Sequence, residues 1–270
     1  MTHLFLSLMK MFPGTQKAFW KWWYQRLAKS GHEDEWSFMN YGFQGEDTEK
    51  NTVLKEEDEA NRFFIQLYDT AAASVSITGL KALEIGSGRG GGAAFVNKYY
   101  KPEMMVGLDY SPYAVDLATN MHKGVQNLNF IQGDAEKLDF AKETFDVVIN
   151  VESSHCYGTP ELFFDEVMRV LKPGGWFSWV DFRPKDKVSE LEKMIDLPGW
   201  ECKWNKVITQ DVVRALDNIH DRKMKMIAQH VPRLLCGSFR EFSGVKGSKI
   251  YNAFSNNEIV YMAKTFQKKI

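Results

Sequence analysis

The sequence predicts a doubly wound α/β fold, with a mostly parallel sheet of seven strands and helices on both faces. Three observations predict it. Short apolar runs alternate with amphipathic helical stretches from about residue 61 to residue 182, the pattern of successive β-α units. The first run ends in a glycine-rich turn, KALEIGSGRGGG (Lys81 to Gly92), that opens a helix. Polar residues then stand at the ends of successive strands, the edge on which open α/β sheets bind ligands.

Each element has a local reason. Asn61 to Ala73 has helical spacing, with Phe64, Leu67, Tyr68 and Ala71 near one face. Strand KALEIG is followed by helix GGAAFVNKYY. Strand MMVGLDY is followed by helix SPYAVDLATNMHK, where Ser111 is placed as N-cap and Pro112 at the first helical position. Strands at 128–134 and 145–151, a helix at 159–171, the turn KPGG and a strand at 176–182 complete the alternation. From Lys185 the pattern changes. A strand at 199–209 leads into a helical stretch at 210–228, two further helices at 232–242 and 246–254, and a closing strand at 257–266. The chain thus divides into an N-terminal helical cap with a charged connector (1–60) and a main domain (61–270). A helical lid at about 210–255 is inserted before the last strand, over the carboxyl ends of the strands.

Composition narrows the function. Charged residues are 26% and the net charge is −1, with no long basic block, so a nucleic-acid surface is not expected. Three scattered cysteines make a disulfide framework or zinc site unexpected and suggest a reducing, cytoplasmic setting. No metal is expected. No apolar run approaches the ~20 residues of a membrane span. The opening MTHLFLSLMKMF is apolar but interrupted by Lys10, which argues against a secretory signal. Aromatic residues crowd the first 45 positions, among them Phe19, Trp20, Trp22, Trp23 and Tyr24. They read as a flap or as core packing. A membrane-skimming helix is disfavoured because the basic residues there are spread.

The glycine turn suits a nucleotide. Gly86 permits the tight turn, Gly88 offers bare backbone, and Gly90 allows close helix packing. Asp109 ends the second strand, nineteen residues after Gly90, where an acid accepts from a ribose diol. Asp134 ends the third strand, where an acid accepts from an exocyclic adenine amine. Asn150 ends the fourth, next to the reacting centre. A nicotinamide oxidoreductase would show G-x-G-x-x-G spacing and a Tyr-Lys pair; neither is evident. A non-catalytic nucleoside- or lipid-binding protein is a third reading.

The E-x-G-x-G-x-G turn, the GLD acid, the GDAEKL acid and the LKPGG turn, in this order over residues 80–182, resemble the class I S-adenosylmethionine-dependent methyltransferases, with their Rossmann-like sheet. NRFFIQLYDTAA, NVESSHCYGTPELFFDEVMRVLKPGG, ITQDVVRAL and VPRLLCGSFREFSGVKGSKIY extend the resemblance to the phthiotriol/phenolphthiotriol dimycocerosate methyltransferases and their fatty-acid and polyketide (microcystin-type) O-methyltransferase relatives. It implies S-adenosylmethionine as cofactor, bound by Glu84, Gly86, Ser87, Gly88, Asp109, Tyr110, Gly133, Asp134, Ala135 and Asn150. Gly86 and Gly88 would approach the methionyl part, Asp109 the ribose, and Asp134 with Ala135 the adenine. It also implies O-methylation of a hydroxyl or carboxyl on an apolar, lipid-like or polyketide acceptor, with C- or N-methylation as the alternative.

On the acceptor side, His155 follows the fourth strand and is the expected base, because an imidazole pKa near ~6.5 suits proton removal at neutral pH. Glu152 is expected to orient His155 or to bind the cofactor ammonium. Tyr41, in FMNYGF, is placed near the methyl group as part of the N-terminal flap. Each also has a purely structural reading. Cys156 is discounted as a partner of His155. Asp181 and Arg183 end the fifth strand and could serve the pocket, but read rather as a surface ion pair. The Met/Leu-rich lid and the aromatic N-terminus are expected to roof one apolar pocket.

Overall fold

The computed structural model describes residues 37–46 and 52–270. The aromatic segment before residue 37, including the Phe19–Tyr24 cluster, lies outside the described residues, as do positions 47–51 of the connector. The strands are β1 (Lys81–Ile85), β2 (Met104–Asp109), β3 (Leu128–Gln132), β4 (Phe145–Val151), β5 (Leu171–Pro184), β6 (Trp200–Val207) and β7 (Ile259–Lys268). They form one seven-stranded sheet in the order β3-β2-β1-β4-β5-β7-β6. The first five strands are mutually parallel, and β7 runs antiparallel between β5 and β6. Strand order reverses between β1 and β4, so the crevice for a ligand lies at their carboxyl ends.

The inner strands are apolar on both faces because helices cover both. Alternate residues feed separate cores. Val147, Ile149 and Val151 join one with Leu67 and Tyr68 of α1 (Arg62–Ala72) and Phe95 of α2 (Gly91–Tyr100). Val148 joins the other with Phe163 and Phe164 of α4 (Pro160–Val170), beside Phe177, Trp179 and Trp200. Phe163, Phe164, Phe177 and Trp179 are all fully buried, and truncating any one to alanine would cost about 3–5 kcal/mol. Helix α3 (Pro112–Met121) starts as expected, with the Ser111 side chain accepting from the Ala114 N–H at 3.4 Å.

Two local expectations are corrected. The KPGG turn is a bulge inside β5: Leu171 pairs with Phe145 and Trp176 with Val147, so the intervening residues face Asp146 alone. Asp146 satisfies the bulge by accepting from Lys172 Nζ at 2.7 Å and from the Lys81 N–H at 3.0 Å. A two-turn helix, α5 (Val188–Ile195), precedes β6. It buries only Leu191 and Ile195, too few apolar positions to register as a periodic pattern.

The lid lies between β6 and β7. Helix α6 (Thr209–His230) is followed by a 3₁₀ turn (Arg233–Leu235), α7 (Cys236–Ser243) and α8 (Lys249–Ser255). The root of α6 packs Val212, Leu216 and Ile219 into the main core. Its far end packs Ile227 with Val231, Phe239 and Val245 in a small core of its own. Residues 37–46 run between α1 and the lid root. The Phe43 N–H donates to Phe63 O at 2.9 Å, the Gln44 N–H to Asp211 O at 3.0 Å, and Asn40 Nδ2 to Phe64 O at 3.1 Å. Among the described residues no helix is long and apolar enough to cross a membrane.

Candidate active site

The turn after β1 is held by backbone. Gly86, Gly88 and Gly90 have φ of 78°, 52° and 83°, which L side chains rarely adopt. The Gly86 and Ser87 N–H groups donate to Leu108 O at 2.8 and 3.0 Å. A Cβ on Gly86 would lie 2.3 Å from Ser153 Oγ, whereas one on Gly88 meets no protein atom within 4 Å. Asp109 ties the turn to α3, accepting from the Gly88 N–H at 2.8 Å and the Ser111 N–H at 2.9 Å. Burial pushes its carboxyl up, and those two backbone donors oppose the shift.

Beneath the turn lie buried polar atoms that have no partner among the described residues. Glu84 accepts from Tyr68 O–H at 2.7 Å through Oε1, but Oε2 has no partner. Burial pushes this carboxyl up to about 8, against the Tyr68 bond. Asn150 Nδ2 donates to Ile85 O at 2.9 Å and to Ser153 Oγ at 2.7 Å, leaving Oδ1 without a partner. Ser87 Oγ is likewise buried and unpaired. An unpaired buried polar group costs about 1–3 kcal/mol, so these atoms suit a polar ligand carrying hydroxyl and ammonium donors. A small groove beside them is lined by Met39, Asn40, Tyr68, Gly86, Ser87 and Glu152 among others. Further along the edge, Asp134 is exposed and accepts from the Glu136 N–H at 2.9 Å, while Ala135 is buried. Gly133 bonds Asp109 O at 3.0 Å, and Tyr110 is largely exposed.

Past Glu152, His155 sits on a short 3₁₀ turn (Ser154–Cys156) after β4. Its Nδ1 is 2.8 Å from Asp181 Oδ1, and its backbone N–H donates to Asp181 Oδ2 at 3.0 Å. The imidazole packs on the Phe182 ring at 4.4 Å, with 27% of the side chain exposed. Nδ1–H facing the carboxylate leaves Nε2 as the outward nitrogen. Burial alone would lower the imidazole pKa; the Asp181 carboxylate outweighs it and raises the value to about 11. The same pairing overcomes burial of Asp181 and holds its carboxyl far below the usual range.

The surface ion pair expected of Asp181 and Arg183 is therefore wrong. Asp181 is fully buried, and beyond His155 it accepts from Ser154 O–H at 2.6 Å and pairs with Arg183 at 3.3 Å. The turn after β4 folds over the end of β5, a burial that no local pattern encodes. Glu152 does not orient His155 by a hydrogen bond. Its Oε1 accepts from the Tyr41 N–H at 2.8 Å and from Tyr261 O–H. Burial pushes it up to about 7, against those donors. It sits at φ 47°, a strained conformation for a residue with a side chain. The Tyr41 hydroxyl faces the lid, donating to Phe242 O at 3.2 Å, and its ring packs on Phe182 and Phe254 at 5.8 and 5.3 Å.

Sequence reading missed Tyr68, Tyr261 and Lys223, and placed Asp181 at the surface. Lys223 Nζ donates to Ser243 O at 2.8 Å and lies over the rings of Tyr41 and Phe64 at 5.6 and 5.5 Å. Burial lowers its pKa to about 7, with Glu152 opposing. Asp181 had a usable signal, since it ends a strand as Asp109 and Asp134 do. Tyr68 and Lys223 follow helical periodicity and carry no mark of their own. A larger cavity of about 580 Å³ lies between α1 and the lid root, away from the glycine turn. Its charges, Arg214 with Asp211 among them, are already paired.

A sheet in this order, with a glycine turn after β1 and an acid closing β2, defines an S-adenosylmethionine-dependent methyltransferase, and residues 83–179 match the methyltransferase domain model. The chain is 34% identical over 254 residues to the phthiotriol/phenolphthiotriol dimycocerosates methyltransferase of Mycobacterium tuberculosis, spanning 94% of this chain and 93% of that protein. It is 32% identical over 259 residues to the fatty-acid O-methyltransferase of Mycolicibacterium smegmatis, spanning 96% and 92%. The chain belongs to this family of methyltransferases. In fold it also matches the geranyl diphosphate C-methyltransferase of Streptomyces coelicolor, solved with S-adenosyl-L-homocysteine. That match has a TM-score of 0.61 and 14% identity, over 85% of this chain and 87% of that one. The oxidoreductase and non-catalytic readings are set aside, and the cofactor is S-adenosylmethionine.

Proposed function

We propose that the protein methylates an oxygen, hydroxyl or carboxylate, of an apolar lipid-like or polyketide molecule, with His155 and Asp181 at the acceptor. The names of the relatives support a lipid acceptor, and the His155–Asp181 pair at 2.8 Å is the observation that carries the oxygen chemistry. When bound, S-adenosylmethionine supplies an electrophilic methyl on a sulfonium. Gly86 and Gly88 would hold its methionyl part, with Glu84 Oε2, Ser87 Oγ and Asn150 Oδ1 available to it as partners. Asp109 would hold the ribose, with Tyr110 and Gly133 beside it, and Asp134 and Ala135 the adenine. Residues 37–46 and the end of α7 at Phe242 and Ser243 roof the acceptor and exclude water. The chain works in the cytoplasm.

In-line transfer demands alignment more than bond-making by the protein. Toward a hydroxyl, Nε2 of neutral His155 takes the proton, and Asp181 steadies the resulting imidazolium. A carboxylate is already a nucleophile, and there the imidazolium pairs with it. The two cases give opposite pH profiles. Turnover of a hydroxyl acceptor rises with pH as the imidazolium, whose pKa is raised toward about 11 by Asp181, loses its proton. Turnover of a carboxylate falls over the same range. The test is mass spectrometry of products from decanol and decanoate with labelled cofactor. His155→Ala should lower turnover ~100-fold with cofactor affinity unchanged by titration calorimetry. Full turnover in that variant on both probes removes His155 from the reaction.

A further inference from the structure

We propose that the tip of the lid is a docking surface for an anionic lipid interface, from which the acceptor reaches the site. The inference rests on the lipid-acceptor reading above.

Charge is the first observation. Residues 222–249 carry seven Lys and Arg against the single acid Glu241, in a chain whose net charge is −1. The excess is presented outward: Lys225, Arg233 and Arg240 are exposed, and among the described residues no hydrogen bond or ion pair holds their side chains. The second observation is apolar. Leu234, next to the exposed Arg233 on the turn between α6 and α7, is 86% exposed, so the most exposed apolar side chain of the tip adjoins a cation. A cationic rim around an inserted apolar residue is how an element lies on, rather than across, an anionic bilayer.

The third observation is connection to the site. The tip has its own small core, separate from the one that anchors the lid root. Its last residues touch the acceptor side directly. Phe242 O accepts from Tyr41 O–H at 3.2 Å and Ser243 O from Lys223 Nζ at 2.8 Å. Tyr41 in turn donates its N–H to Glu152. A lipid leaving the interface at Leu234 therefore meets the lid end of the groove before it reaches His155. An acidic protein partner would meet the same charges, but it would not need Leu234.

The test uses the full chain with vesicles of phosphatidylcholine alone and of phosphatidylcholine mixed with phosphatidylglycerol, read by co-sedimentation. Binding is expected only to the anionic vesicles and should fall as salt is raised. The double variant Arg233→Glu/Arg240→Glu should weaken it on the order of 100-fold or more, at roughly five-fold per unit charge. Leu234→Asp should weaken it further than the charge change alone. Both variants should keep wild-type affinity for S-adenosylmethionine and wild-type turnover of dispersed decanol or decanoate, which also certifies their folding. Equal binding to neutral and anionic vesicles, binding retained in both variants, or no binding by the wild type would overturn the proposal. Wild-type binding without turnover of any oxygen acceptor would instead overturn the methylation reading and leave the docking surface standing.

Discussion

The two walls of the site are built differently. The glycine-turn wall is made by backbone within one run of chain: three left-handed glycines, N–H bonds to Leu108 O, and Asp109 fastened to two N–H groups. The His155 wall is made by side chains from distant segments, with Tyr41, Glu152, His155, Asp181, Lys223 and Tyr261 brought together by contacts such as the Tyr41–Glu152 bond, across 111 residues. A wall of backbone holds one ligand in one geometry and tolerates little change. A wall of side chains can exchange acceptors without disturbing the sheet.

The sharpest way to break this contrast is Gly86→Ala. Its Cβ would meet Ser153 Oγ at 2.3 Å at a φ of 78°. S-adenosylmethionine affinity should fall on the order of 100-fold, read by calorimetry. Unchanged affinity would mean that the turn can shift like a side chain.

On the other wall, Asp181→Asn keeps the shape of the pair and removes its charge. With a hydroxyl acceptor the plateau turnover at high pH should drop roughly ten-fold, and that plateau should be reached at lower pH as the imidazole loses its partner. The same substitution has a stability readout. Asp181 raises the His155 pKa on folding, so the stabilisation is fully present below the unfolded imidazole value of ~6.5. It fades as pH climbs toward about 11. The wild-type Tm should therefore decline across that window more steeply than that of Asp181→Asn; parallel curves would remove the pairing.

Tyr68→Phe probes where the walls share a residue, since Tyr68 lines the groove and donates to Glu84 at 2.7 Å. It leaves Glu84 buried with one donor fewer and should cost about 1–3 kcal/mol in urea denaturation. The smallest effect is expected from Tyr41→Phe. It removes only the bond to Phe242 O and should raise the acceptor KM a few-fold, roughly two- to ten-fold, with cofactor affinity intact.

Legibility followed the same division. Strands β1 to β4 and the Ser111 cap stand close to where the sequence placed them, because period, capping and turn chemistry are local. The KPGG bulge was read as a turn, since Pro and two glycines look alike in either setting; its pairing with Asp146 decides the matter. Asp181 was misread because its burial depends on a different strand's turn. Glu152 was given His155 as its partner on nearness in sequence, whereas its partners are Tyr41 and Tyr261, 111 and 109 residues away.

The sequence by itself determined the order of the strands and of the helices other than α5, the glycine turn with its closing acid, and with them the methyltransferase class. Those features rest on backbone conformation and short-range bonds that residue type dictates. Only the tertiary structure decided that Asp181 rather than Glu152 holds His155, and that Tyr41 and Lys223 meet the end of the lid. Burial and pairing of charges arise where the ends of the strands, the lid and residues 37–46 converge, and desolvation there sets which groups are ionised.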